Sequence, residues 1–152
     1  MWFRDWQLAG ILTAQTGQPF TVNTAIDVNR DGNLTDRLDR TDGLIRGPDR
    51  RIQLQIAPGT DPMDLIAPDG LDGSVGRNTF RAPGIATLDI AVIRKVNLGD
   101  RVKASFRTEV FNLFNRTHFG IPVRVLEEPG FGSSASTTIT ARTVQLAAKF
   151  SF

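Results

Sequence analysis

The sequence predicts an all-β fold in which antiparallel amphipathic strands form part of a transmembrane β-barrel, with long loops at one end. Three observations lead to this prediction. Apolar residues recur at every second position over several long stretches, which is the period of a β-strand. These stretches exceed the roughly 5–6 residues of a usual globular strand and are long enough for the 9–11 tilted residues that cross a bilayer. The connections between them alternate between long and short, as in outer-membrane barrels.

Four strands are predicted, over about residues 3–15, 85–97, 101–114 and 140–152. Each has one apolar and one more polar face. Because alternate residues point to opposite sides of a strand, the charged side chains can be assigned together to the polar face, which we predict to face a hydrated lumen. These lumen-facing residues are Asp89, Lys103, Arg107, Glu109 and Lys149. We expect structural ion pairs among them.

The connections set the predicted orientation. Residues 97–100, with Gly99 for a positive φ, form a short turn. The long connections, about 16–84 and 115–139, leave the opposite end and are predicted to be extracellular, so the C-terminus would be periplasmic. Within the first, alternating Phe20–Ile26 and Ile52–Ile56 predict a hairpin, and residues 57–84 an irregular loop. Aromatic residues would then form a girdle at the periplasmic edge; these are Trp2, Phe3, Trp6, Phe150 and Phe152.

Composition excludes several other classes. No apolar run is long enough for a transmembrane helix. The 18 basic and 16 acidic residues are mixed along the chain, which argues against nucleic acid as a partner. Cysteine is absent, so disulfides and thiolate sites are excluded. The first residues do not resemble a signal peptide, and we expect the natural N-terminus to lie upstream.

Four segments have a recognisable pattern: residues 10–22 (GILTAQTGQPFTV), 76–84 (GRNTFRAPG), 107–120 (RTEVFNLFNRTHFG) and the alternating end in Phe152. Together they resemble the C-terminal barrel region of TonB-dependent receptors, particularly the Oar-like group with a carboxypeptidase-regulatory-like domain. The resemblance covers nearly the whole chain. It implies that residues 1–152 are the C-terminal segment of a barrel of about 22 strands around a plugged lumen, and that the chain is a fragment that aggregates alone.

The resemblance also implies a function and partners. The chain would contribute to import of a scarce nutrient through the outer membrane. The remaining barrel, the plug and the contact with a TonB-type energy-coupling system would lie upstream. The last strand resembles the signal that the barrel-assembly machinery reads as an exposed strand edge. Its apolar ladder consists of Val144, Leu146, Ala148, Phe150 and Phe152.

One loop suggests a metal. Residues 27–36 carry oxygen ligands at alternate positions with Gly32 at the sixth, which is similar to the start of an EF-hand calcium loop. The candidate calcium ligands are Asp27, Asn29, Asp31, Asn33 and Asp36. Position 12 of the pattern is Leu38, where the bidentate carboxylate would stand. A polar turn at the tip of an extracellular hairpin is the alternative.

No residue pattern indicates catalysis, so the chain is predicted not to be an enzyme. The only histidine, His118, is expected to lie exposed in a loop, and no Ser-His-Asp spacing or phosphate-binding glycine loop is present. A second acidic segment, Asp61 to Asp72, is interpreted as a solvated loop. Two other functions remain open: another outer-membrane barrel such as a porin, and a soluble calcium-binding β-sandwich or carbohydrate-binding module.

Overall fold

The computed structural model describes residues 5–99 and 101–152, and these form antiparallel strands joined by irregular segments. The strands are β1 (Trp6–Gln15), β2 (Pro19–Phe20), β3 (Leu44–Arg46), β4 (Leu54–Ile56), β5 (Phe80–Arg81), β6 (Ile85–Asn97), β7 (Lys103–Phe111) and β8 (Thr143–Ser151). One 3-10 turn covers Pro62–Leu65. The predicted all-β antiparallel class is confirmed. Within the described ranges, no helix has the length and apolar character needed to span a membrane.

The chain divides into two compact units. The first, here called the sheet unit, contains residues 5–15, 85–99, 101–117 and 139–152. The second, the loop unit, contains residues 16–84 and 118–138. The sheet unit is one four-stranded antiparallel sheet in the order β1-β6-β7-β8. This sheet is open, because β1 and β8 lie at its two edges and do not pair with each other.

The register places the four apolar faces on one side of the sheet. Leu8 lies opposite Val92, which lies opposite Thr108, and Thr108 lies opposite Leu146. Directly paired residues point to the same side of a sheet, and a slip of one residue would reverse a whole strand. The period-two pattern of each strand is therefore combined into one continuous apolar face and one polar face.

The observed strands follow the predicted ones with shorter ends. β6 has the predicted range, whereas β7 and β8 are shorter than the predicted 101–114 and 140–152. β7 stops because Asn112 has a φ of 50°, outside the extended region. Trp2 and Phe3 of the predicted girdle lie outside the described residues.

The loop unit has its own hydrophobic core, which the sequence interpretation did not predict. Its five fully buried members are Phe20, Val22, Leu38, Leu65 and Leu126. The rings of Phe20 and Phe80 stack with their centroids 5.7 Å apart. Residues from both segments of the unit contribute, so the two long connections fold together into one structure. Burial of such side chains contributes about 1.5–3 kcal/mol each.

The predicted pairing of residues 20–26 with 52–56 is wrong. β2 pairs with β5, placing Phe20 opposite Phe80, and β4 pairs with β3, placing Ile56 opposite Leu44. The alternation of residues 20–24 is nevertheless real, because Phe20, Val22 and Thr24 are all buried. Alternation identifies which side chains point inward but does not identify the partner strand.

Residues 57–84 are largely irregular, as predicted, but they do more than connect. The 3-10 turn brings Leu65 into the core. The two segments of the loop unit meet where the backbone N–H of Gln53 donates to the carbonyl of Gly132 at 2.8 Å. Gly132 has a φ of 73°, and a Cβ there would lie 2.0 Å from the Leu54 carbonyl oxygen. Only glycine fits this close approach of two backbones.

Candidate functional site

The apolar face of the sheet unit is exposed within the chain. Leu8 and Leu146, on the two edge strands, are each 77 % exposed. A continuous apolar face of this kind is not stable in water and marks a contact with another apolar phase or surface. The strands also have the length for a membrane: the 13 residues of β6 extend about 40 Å. A tilt of about 40° leaves about 30 Å of height.

Aromatic residues mark one end of this face. Trp6, Arg94 and Phe106 lie in one row across β1, β6 and β7, and Phe150 lies in the next row toward the short turn. The Arg94 guanidinium lies 5.0 Å from the Trp6 ring centroid, and Phe106 packs edge-on against Phe150. Amphipathic rings and long basic side chains favour the boundary between lipid and water. Of the predicted girdle, Trp6 and Phe150 are therefore at the same end of the sheet.

The polar face carries all five predicted lumen-facing side chains, because they occupy the register positions between the apolar rows. These are Asp89, Lys103, Arg107, Glu109 and Lys149. Only one ion pair forms among them in the described chain, between Arg107 and Glu109 at 2.5 Å. Both are on β7, two residues apart. Exposed pairs of this kind contribute less than about 1 kcal/mol. The charged groups of this face can therefore exchange this partner for water or for another charged surface at little cost.

Asn112, just past the end of β7, connects β6 to the segment that precedes β8, a role that sequence reasoning missed. Its backbone N–H donates to the Asp89 carboxylate at 2.8 Å. Its side-chain amide donates to the carbonyls of Arg116 and Thr140, and its side-chain oxygen accepts from the Arg116 N–H. Asn112 is buried, so these bonds are protected from water. The signal was present in the Asn-Leu-Phe-Asn segment, since asparagine tolerates a positive φ and bonds to nearby backbone.

The terminal strand pairs along one side only. β8 pairs with β7 from Thr143 to Ser151, and its other edge is unpaired in the part of the chain that is described. Of its apolar ladder, Val144, Leu146 and Phe150 are exposed, and Phe152 lies just past the end of the strand, also exposed. An exposed edge with an apolar face is a template for pairing with another strand.

The predicted calcium ligands form a network of tight turns. Asp27 accepts from the N–H groups of Asp31 and Gly32, and Asp31 accepts from the N–H of Asn33. Asn29 also accepts from the Asp31 N–H, at 3.0 Å. These bonds bring Asp27, Asn29, Asp31 and Asn33 together in one loop. Each carboxylate still has unused lone pairs.

Asp36 stands apart in this set. It is only 3 % exposed and accepts from the N–H groups of Val28 and Asn29 at 2.6 and 3.1 Å. Its carboxylate therefore holds the start of the loop in place. Among residues 5–99 and 101–152, no three His, Cys, Asp or Glu side chains converge as a metal site. Calcium at this loop, which would also use amide and carbonyl oxygens, stays a prediction.

His118 is not exposed, contrary to the prediction. It is 1 % exposed, and neither ring nitrogen has a hydrogen-bond partner within the described residues. Its backbone carbonyl accepts from Thr138, and the neighbouring residue Phe119 bridges to Thr137. The histidine is part of the packed interior of the loop unit. A single isolated histidine gave no sequence signal for burial.

A polar cavity of about 400 Å³ opens in the loop unit. Its basic lining residues are Arg37, Arg77 and Arg124, and its acidic ones are Asp31, Asp36 and Asp72. The Arg37 guanidinium donates to Asp72 at 2.6 Å, and this hydrogen bond holds the pKa of the Asp72 carboxyl below its usual range. Sequence reasoning placed Asp72 in a solvated loop and did not identify the cavity, because its walls come from distant segments.

Comparison with known proteins agrees with this arrangement. The family described as "Outer membrane beta barrel domain" matches residues 1–145 of the chain. No curated protein and no solved structure gave a match. The family match, the exposed apolar face and the antiparallel long strands favour a membrane barrel over a soluble β-sandwich. The chain belongs to the outer membrane β-barrel domain family.

Proposed function

We propose that this outer-membrane barrel protein is part of an active importer of the TonB-dependent type. Its location in the outer membrane follows from the family. The finer assignment is supported by the receptor-like segments at residues 10–22, 76–84 and 107–120. The last of these includes Asn112, which hydrogen-bonds to Asp89 on β6 and to Thr140 in the segment before β8.

The loop unit is the observation that carries the proposal. Two connections, 16–84 and 118–138, combine into a unit with its own core and a polar cavity. A receptor that captures a dilute ligand needs a binding surface of fixed shape, because a preorganised site loses less entropy on binding. The packed core of the same unit supplies that rigidity.

A passive, porin-like barrel is the second candidate, and the polar face is compatible with it. Asp89, Arg107, Glu109 and Lys149 present both charge signs on one side of the sheet. Such a face suits a water-filled channel as well as a lumen that holds a plug. The two candidates differ in energy dependence: a channel conducts without an energy source, whereas an importer requires one.

The orientation and partners of the chain belong to the same proposal. The short turn near Gly99 and the end of β8 would be periplasmic, and the loop unit would face the outside. The assembly machinery would pair with the open edge of β8, with Val144, Leu146 and Phe150 entering apolar pockets. The rest of the barrel would close against β1, and energy would arrive through a TonB-type system that contacts other parts of the receptor.

Energy dependence tests the proposal directly. Cells that produce the intact receptor should accumulate its nutrient only while the inner membrane is energised, so an uncoupler should stop uptake. The purified receptor should show little steady conductance in a planar lipid bilayer, because a plugged lumen blocks ions.

The controls separate the two candidates. Deletion of the gene should remove the uncoupler-sensitive uptake and leave diffusion of small solutes through other porins unchanged. Steady ion conductance together with uptake that survives the uncoupler would reject the importer and establish the porin-like function.

A further inference from the structure

The cavity in the loop unit is lined only by polar and charged side chains. Besides its three arginines and three aspartates, it presents Thr21, Asn23, Asn29 and Thr35. Binding pockets for drug-sized ligands have volumes of about 300–1,000 Å³ and are mostly apolar. This cavity has a suitable volume and the opposite lining, so it suits a strongly hydrophilic ligand.

Two of the arginines are not engaged by the protein. Arg37 is held by Asp72 and by the Val75 carbonyl. Arg77 and Arg124, in contrast, make no side-chain hydrogen bond or ion pair anywhere in residues 5–99 and 101–152. Guanidinium groups bind carboxylates through two parallel hydrogen bonds. The cavity therefore offers two open positions for an anionic group.

Acceptors line the same cavity. The buried Asp36 already accepts from two backbone N–H groups, but Asp31 and Asp72 are exposed. Carboxylates accept hydrogen bonds from hydroxyl groups and repel a second anion. A ligand with anionic groups only would meet this repulsion, whereas a ligand that also carries hydroxyls could satisfy both kinds of group.

We propose that this cavity binds an acidic saccharide, with its carboxylate on Arg77 and Arg124 and its hydroxyls on Asp31, Asp72 and the neighbouring amides. The proposal rests on the proposed function, since it takes the loop unit as the surface that first meets the nutrient. It names a substrate class, a carboxylated sugar, that the family assignment does not give.

Calorimetry on the complete chain in detergent micelles tests the site, with digalacturonic acid as the probe. The unaltered chain should bind it and should bind the neutral disaccharide galactobiose roughly tenfold or more weakly. Arg77→Gln and Arg124→Gln should each weaken digalacturonate binding by roughly tenfold, as for one lost charge-assisted pair. Arg51→Gln is the matched control: this arginine is exposed in the same unit, lies outside the cavity lining, and its replacement should leave binding unchanged.

Several results would overturn the proposal: no heat with digalacturonate, equal affinity for the neutral sugar, or full binding by both arginine variants. Circular dichroism verifies that the variants fold.

Salt dependence is a second test, and it needs only the unaltered chain. The affinity for digalacturonate should fall as sodium chloride rises from about 0.05 to 0.5 M; salt-independent binding would also contradict the proposal. These binding experiments measure no transport. Binding of the acidic saccharide can therefore be disproved while energy-dependent uptake is confirmed, and uptake can be disproved while saccharide binding is confirmed.

Discussion

At the scale of single residues, polar side chains hold irregular backbone segments in place through hydrogen bonds. Asp36 and Asn112 are both buried, and their side-chain oxygens accept from the backbone N–H groups of Val28 and Arg116, which have no partner in a regular ladder. Loss of one partner leaves a buried group unsatisfied, which costs about 1–3 kcal/mol. These residues therefore set the shapes of the loops beside them.

The loop from Asp27 to Asp36 gives a prediction about calcium. Its oxygen spacing predicts that calcium binds, and the turns bring Asp27, Asn29 and Asp31 together. Calorimetry on the chain in micelles should show calcium binding that Asp31→Ala weakens roughly tenfold or more. Asp64→Ala, an exposed carboxylate outside the loop, is the control. Absence of heat with the unaltered chain would show that the loop is only a hydrogen-bonded turn.

The Arg37–Asp72 pair gives a prediction about pH. Its hydrogen bond lowers the folded-state pKa of Asp72 below the unfolded value of about 3.9. The pair therefore stabilises the fold above that unfolded value and loses its effect as pH falls through the folded pKa. Since Asp72 is half exposed, the contribution is below about 1 kcal/mol. Urea unfolding should show Asp72→Asn destabilised at pH 7, with a deficit that shrinks as pH falls below the unfolded value of about 3.9; a deficit that stays constant as pH falls would contradict this.

At the scale of elements, the sheet combines four separate period-two patterns into two faces of opposite character. The register fixes this arrangement: Leu146 lies on the apolar face and its neighbour Ala147 on the polar one. The two positions are adjacent in sequence, but their side chains point to opposite faces of the sheet. They provide a direct test of which face contacts lipid.

We expect Leu146→Arg to impair insertion of the chain into lipid vesicles, and Ala147→Arg to be tolerated. An arginine near the middle of the lipid-facing surface of a barrel costs about 2–4 kcal/mol, whereas the lumen accepts charge. Urea titration in vesicles measures the difference. A larger loss for Ala147→Arg would reverse the assignment of the two faces.

At the scale of the whole molecule, the open sheet has consequences for handling the chain. Among residues 5–99 and 101–152, β1 and β8 each present an unpaired edge, and the apolar face is exposed. Unpaired edges and apolar patches both promote association in water. The loop unit, in contrast, packs part of its apolar residues into a core of its own, while others such as Leu34 stay exposed.

The isolated chain should therefore aggregate in detergent-free buffer and become monodisperse in micelles. Size-exclusion chromatography in the two conditions measures this. The replacement of exposed loop-unit residues such as Leu34 should not change the outcome, because the apolar sheet face is unaffected. A sharp monomeric peak without detergent would show that the apolar face is covered within the chain.

The sequence by itself determined the strand class, the range of β6 and the division of side chains between two faces. These features follow from local alternation, which a strand displays without reference to its neighbours. Resemblance of motifs added the outer-membrane class, which the family match confirms. Its finer receptor assignment stays a proposal.

Only the tertiary structure decided how the two long connections fold. The partner of residues 20–26, the burial of His118 and the cavity of Arg37, Arg77 and Arg124 all depend on segments far apart in sequence. A short alternating segment indicates that one of its sides is buried. It does not indicate which other segment covers that side, because many segments could do so equally well. The physical reason is that packing between distant segments is a collective property of shape, whereas strand periodicity is a property of each segment alone.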